Sequence, residues 1–99
     1  MRTMIRFTIP VDTGNKAVQD GTLPKTIAGM MERLKPESAY FYAERGVRAG
    51  IMIVDFKDVS DIPAIAEPLF MGLSAAVEFI PVMNADELKK GLSKVTQTR

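Results

Sequence analysis

Cysteine and histidine are both absent from the 99 residues. Without cysteine there is no disulfide, no thiol nucleophile and no cysteine-ligated metal. Without histidine the commonest general base, the commonest transition-metal ligand and the usual haem ligand are gone. Ser-His-Asp and Cys-His catalysis are excluded outright. No metal or cofactor is therefore expected. Charge of one sign is also missing: thirteen basic and twelve acidic side chains leave a formal charge of +1. Such balance gives no electrostatic reason to expect nucleic acid or an anionic membrane as partner. Long apolar runs are absent too. The opening MRTMIRFTIPVD is interrupted by Arg6 and Pro10, unlike a signal peptide, and no stretch approaches a spanning length. A cytoplasmic location is the default expectation.

What is present reads as one soluble globular domain over residues 1–99, with 96–99 as a frayed tail. The chain is 46% apolar and 25% charged. A chain of this size buries only about two thirds of its unfolded surface, so a partner chain adds much.

The alternation Ile5, Phe7, Ile9, Val11 against Arg6 and Thr8 predicts a half-buried strand, weakening at Pro10. Asp12-Thr13-Gly14-Asn15 has turn chemistry, with a short helical piece over 16–19. The stretch DGTLPKTI then breaks the helical register. Beyond Pro24, the spacing of Ile27, Met30, Met31 and Leu34 marks one helix face. Thr22 is the expected N-cap, with Pro24 in the first turn, and Lys35-Pro36 ends the helix. Residues 38–44 (SAYFYAE) are strand-like, 45–48 form a turn, and 49–56 (AGIMIVDF) predict a central strand, apolar on both faces. A second helix is expected from an N-cap at Ser60, bending or ending near Glu67 because of Pro68. Residues 76–83 (AVEFIPVM) give the last strand. Asn84-Ala85-Asp86-Glu87 is a capping box opening a final helix with Leu88, Leu92 and Val95. The order β-α-β-β-α-β-α implies an α+β, ferredoxin-like antiparallel sheet in the order 4-1-3-2, helices on one face.

The other sheet face carries the functional candidates. Arg6, Thr8 and Glu78 belong to it if Ile5, Phe7 and Ile9 face the helices. The second strand offers either Tyr40, Tyr42 and Glu44 or Phe41 and its alternates. The third offers Ile51, Ile53 and Asp55 or Met52, Val54 and Phe56. A large apolar face with a few charges points to a partner surface, a pocket or both.

The blocks DGTLPKTI, KDVSDIPAIAEPLF and VEFIPVMN, together with the element order, resemble small uncharacterised bacterial proteins of the dimeric α/β-barrel superfamily. The resemblance implies two ferredoxin-like sheets packed face to face, with the last segment helping to hold a homodimer. Members of the wider superfamily include muconolactone isomerases, small quinone-forming monooxygenases, haem enzymes and proteins without known activity. The missing histidine argues against histidine-ligated haem here.

The leading expectation is a homodimer that binds a small organic molecule, with Thr8, Tyr40, Met52 and Phe70 as lining candidates. The alternative is a cofactor-independent isomerase or monooxygenase for an aromatic-derived compound. In it Arg6 orients the substrate, Glu78 or Asp55 moves protons and Tyr42 donates a hydrogen bond. Each candidate also has a plainer reading. Arg6 and Glu78 can simply neutralise one another at an interface, Tyr40 and Tyr42 can form an amphipathic strand edge, and Asp55 can mark an exposed strand end. A third possibility is an interaction module without a ligand. At the DGTLPK break, the N–H groups of Gly21 and Thr22 beside Lys25 can receive an anion, or the break can shape only the rim of a cleft.

Overall fold

Alternating side chains make β1 (Arg2–Ile9) the centre of the fold. Thr3, Ile5, Phe7 and Ile9 are buried, and the residues between them are half-exposed. In the computed structural model of the chain, residues 1–97 are described, with side chains as far as Thr96. β1 is followed by α1 (Val11–Gln19), α2 (Thr22–Leu34), β2 (Ser38–Glu44) and β3 (Val47–Asp55). A short 3-10 turn over Val59–Asp61 leads into α3 (Ile62–Leu73), then β4 (Ala76–Pro81) and α4 (Ala85–Gln97). The strands form one antiparallel sheet in the order β2-β3-β1-β4. This is an α+β fold consistent with a ferredoxin-like arrangement, and the strand order is the expected one.

Register fixes which residues share a face. Ile5 sits opposite Met52 and Phe79, so these three point to the helices. The core joins Ile5, Phe7, Ile9, Met52 and Val54 to Met30 of α2 and to Ile65, Leu69 and Leu73 of α3. Arg6 sits opposite Ile51 and Glu78, and Ile51 opposite Tyr40. The uncovered face therefore takes Tyr40, Tyr42 and Glu44 from β2 and Ile51, Ile53 and Asp55 from β3.

Gly50 makes this packing possible. A Cβ there would lie 2.5 Å from Cζ of Phe7 and 3.0 Å from Cδ1 of Phe41. The hairpin between β2 and β3 turns on Arg45 and Gly46 alone, both at positive φ (51° and 82°), as a tight two-residue hairpin turn requires. Val47 and Arg48, expected in the turn, belong to β3.

Other local expectations are corrected. Val11 and Asp12 to Asn15 are not strand end and turn but the opening of α1, whose N-cap is Pro10. Gly14 and Ala17 of this helix are buried, so tertiary contact overrides their neighbours' turn preference. The N-cap of α2 is Gly21, at φ 81°, rather than Thr22. The N-cap of α3 is Asp61 rather than Ser60, and Asp58 caps the 3-10 turn before it, accepting hydrogen bonds from Ser60 N and Oγ at 2.9 Å. Pro68 does not end α3, which continues to Leu73. Buried Leu69 and Leu73 hold the helix on the core across the lost hydrogen bond.

The Asn84 capping box forms as expected, with Glu87 N donating to Asn84 Oδ1 at 2.8 Å and Asn84 N to Glu87 Oε1 at 2.9 Å. α4 extends to Gln97, into the stretch expected as a tail, and Thr98 and Arg99 lie outside the described residues. α4 is tied to the sheet by an ion pair between Arg2 and Glu87, while Leu88 (47% accessible) and Leu92 (58%) stay exposed. The radius of gyration is 16.1 Å, with extents of 56 × 28 × 19 Å, where a compact chain of this length has about 13 Å. Among the described residues no helix is long and apolar enough to cross a membrane.

Candidate functional site

The uncovered sheet face and the helix-covered face each carry one candidate site. On the uncovered face β1 presents Arg6 between β3 and β4. Its guanidinium pairs with Glu44 of β2 and approaches Glu78 of β4, with Nη1 3.7 Å from Oε1. The Tyr42 hydroxyl donates to the same Glu44 Oε1 at 3.0 Å. The Arg6 hydrogen bond, followed by that of Tyr42, holds the Glu44 carboxyl below its ordinary range, and the same contact raises the Arg6 guanidinium. Glu44 is thus a stably ionised partner and a weak base.

Three of the four catalytic candidates, Arg6, Tyr42 and Glu78, meet in this cluster. Glu44 joins them, although the sequence reading placed it on a face and gave it no role. Asp55 lies apart: it shares a row with Arg2, four residues from Arg6 and so about 13 Å along the strand. It pairs with the Met1 amino group at 3.0 Å, and this contact lowers its carboxyl. Glu78 is 60% accessible on the side chain, so the burial that proton transfer was expected to use is absent in the single chain.

The lining candidates divide as well. Thr8 and Tyr40 share the uncovered face with Arg6. Met52 is fully buried on the opposite face, in the core. Phe70 stands exposed on α3.

On the helix-covered face, α2 stands off the β2 edge and leaves a cleft of about 620 Å3. Such a volume suits a small organic molecule. Phe7 and Ile9 form its floor, Leu23, Pro24, Ile27 and Ala28 of α2 one wall, and Phe41 the other; Tyr42 and Ala49 also border it, although the register assigns their side chains to the uncovered face. Arg48 is the one charged lining residue. Its Nη1 donates to Asn15 Oδ1 at 3.2 Å. Arg48 stands opposite Ile9 in the ladder, which turns it toward α1.

The DGTLPK break shapes this cleft. Gly21 takes the positive φ that resets the chain, α2 restarts, and Leu23 and Pro24 become wall residues. The break does not offer anion-binding N–H groups. Thr22 N donates to Asp20 Oδ1 at 2.8 Å and Gly21 N to Val18 O at 3.4 Å. The Thr22 contacts also lower the Asp20 carboxyl, which keeps an ionised carboxylate at the break.

Sequence reasoning did not find the cleft's cationic seat. The signal that could have found it is Gly14. A Cβ there would lie 2.7 Å from Arg48 Nη1, so a glycine inside a helix marks the place where an arginine packs.

Comparison with known protein families gives no matching family model, and comparison with curated proteins gives no match.

Proposed function

We propose that the protein binds a small organic molecule in the cleft between α2 and the β2 edge, and that it does so as a homodimer. The observation that carries the binding reading is the cleft itself: about 620 Å3, with walls almost wholly apolar. Apolar side chains hold a ligand by area removed from water, and the few polar groups orient it.

The homodimer reading rests on the uncovered face. Met4, Ile51, Ile53 and Ile80 form its apolar middle, and Arg6, Glu44 and Glu78 supply charges of both signs. Arg6 offsets one of the two carboxylates, so the face carries a small net negative charge beside its apolar middle, and a second copy would cover chiefly the apolar part. Four strands of this length cover roughly 20 by 25 Å. Two such faces alone bury about 1,000 Å2, at the lower bound for a specific interface and well below the about 1,600 Å2 of a standard one. The exposed apolar residues of α4 supply further area if the helix lies on the partner. As a member of the dimeric α/β-barrel superfamily the protein would have this same arrangement.

The enzyme reading has one supporting observation, the meeting of Arg6, Tyr42 and Glu78. The Arg6–Glu44 pair favours a structural role for that cluster.

Thermal-shift measurement against a broad set of metabolites tests the binding reading. The expected result is stabilisation by a subset of amphipathic compounds. Ile27→Trp, which fills the cleft from α2, should abolish the shift while the protein stays folded. A shift that survives this substitution would move the site elsewhere.

A further inference from the structure

Given that the cleft binds a small molecule, we propose that its ligand is an amphipathic monocarboxylate, apolar along its body and anionic at one end, with Arg48 receiving the carboxylate. Among the described residues Arg48 has no carboxylate partner: the ion pairs join Met1 to Asp55, Arg2 to Glu37 and Glu87, and Arg6 to Glu44 and Glu78. Its side chain hydrogen-bonds only Asn15, through Nη1. A guanidinium carries five N–H donors, so most of its capacity is unused. Arg48 is nevertheless half-buried, opposite Ile9 in the ladder and at the edge of a cleft whose other lining residues are uncharged. A cation in apolar surroundings gains most from an anion that brings its own hydrogen-bond acceptors.

Position adds to composition. Gly14 leaves the space that the guanidinium occupies, and a Cβ there would meet Nη1 at 2.7 Å. Asn15, the next residue of α1, accepts from the same nitrogen. The arginine is therefore seated from one side by α1, at the margin of an apolar cleft. A single cation matches a single negative charge, and its planar fork matches a planar carboxylate. A dianionic head would leave one charge unmatched.

Calorimetric titration of the full chain at pH 7 with two matched pairs tests this: octanoate against 1-octanol, and 4-phenylbutyrate against 4-phenylbutanol. At least one carboxylate is expected to bind about tenfold or more tightly than its alcohol. Arg48→Gln should erase that advantage, so that acid and alcohol bind alike. Gly14→Ala keeps the charge but displaces the guanidinium, and should shrink the advantage in the same direction. Circular dichroism checks that both variants are folded, and the parent's own preference needs no variant at all. Equal binding of acid and alcohol by the parent would leave the cleft reading standing and overturn the carboxylate assignment. A carboxylate advantage that survives Arg48→Gln would overturn it too. Binding of no probe would count against the inference and the cleft together.

Discussion

Phe7 can lie flat on the sheet only because residue 50 has no side chain. Its ring tip occupies the place where a Cβ of residue 50 would stand, and Phe41 closes the other side. Phe7 is 2% accessible and belongs to the core, so moving its ring disturbs the packing around it. Gly50→Ala should therefore cost about 1–3 kcal/mol through overpacking, read as a lower midpoint in urea with an unchanged slope. An unaltered midpoint would mean that Phe7 has room to move. Glu44 supplies a second residue-scale expectation. Its folded-state carboxyl is lowered by Arg6 and then by Tyr42. Stability from this contact is complete above the unfolded glutamate value, near pH 4.5, and is lost as pH falls through the lower folded value. Glu44→Gln should accordingly flatten the acid limb of the stability-versus-pH curve below about pH 4.5 and leave its shape at neutral pH unchanged. An acid limb identical to the parent's would show that the pair contributes nothing in solution.

Among the elements, α3 is the clearest case of packing prevailing over propensity. Pro68 removes one backbone donor in the middle of the helix. The helix continues because Ile65, Ala66, Leu69 and Leu73 form one buried face on either side of the interruption. Pro68 itself is exposed, so Pro68→Ala restores a hydrogen bond at little loss of packing. A gain of about 1–3 kcal/mol in unfolding free energy is expected, measured by chemical denaturation. Destabilisation would mean that the proline makes a contact worth more than the bond it deletes. Much of this element pattern is legible in the sequence. The alternation in β1 fixes its buried face, the strand order follows from the element order, and the Asn84 capping box predicts its own hydrogen bonds. What escapes local reading has a physical cause. Asp12 to Asn15 are turn formers one by one, and only the burial of Gly14 and Ala17 makes them helical. Apolar residues on both faces of β3 leave its orientation open until the register with β1 settles it. Glu44 reaches Arg6 from a strand two places away in the sheet, a distance that no sequence spacing encodes. The seat of Arg48 depends on a helix that turn chemistry conceals.

For the whole molecule, the two sides of the sheet have different roles. The helix-covered side holds the core and, at its β2 edge, the cleft. The other side keeps an apolar middle in view of solvent, and α4 carries Leu88 and Leu92 away from the chain's own core. Both surfaces are satisfied together if a second copy covers them, and burial on this scale outweighs the loss of free motion on association only when the contact is extensive. The most direct measurement is the solution mass by sedimentation equilibrium at micromolar concentration, where one chain is 10.9 kDa. The expected result is twice that mass for the parent chain, and a return to the single-chain mass, still folded, when Ile51→Lys puts a charge in the middle of the uncovered face. A parent chain that is fully folded at 10.9 kDa would contradict the proposed dimer.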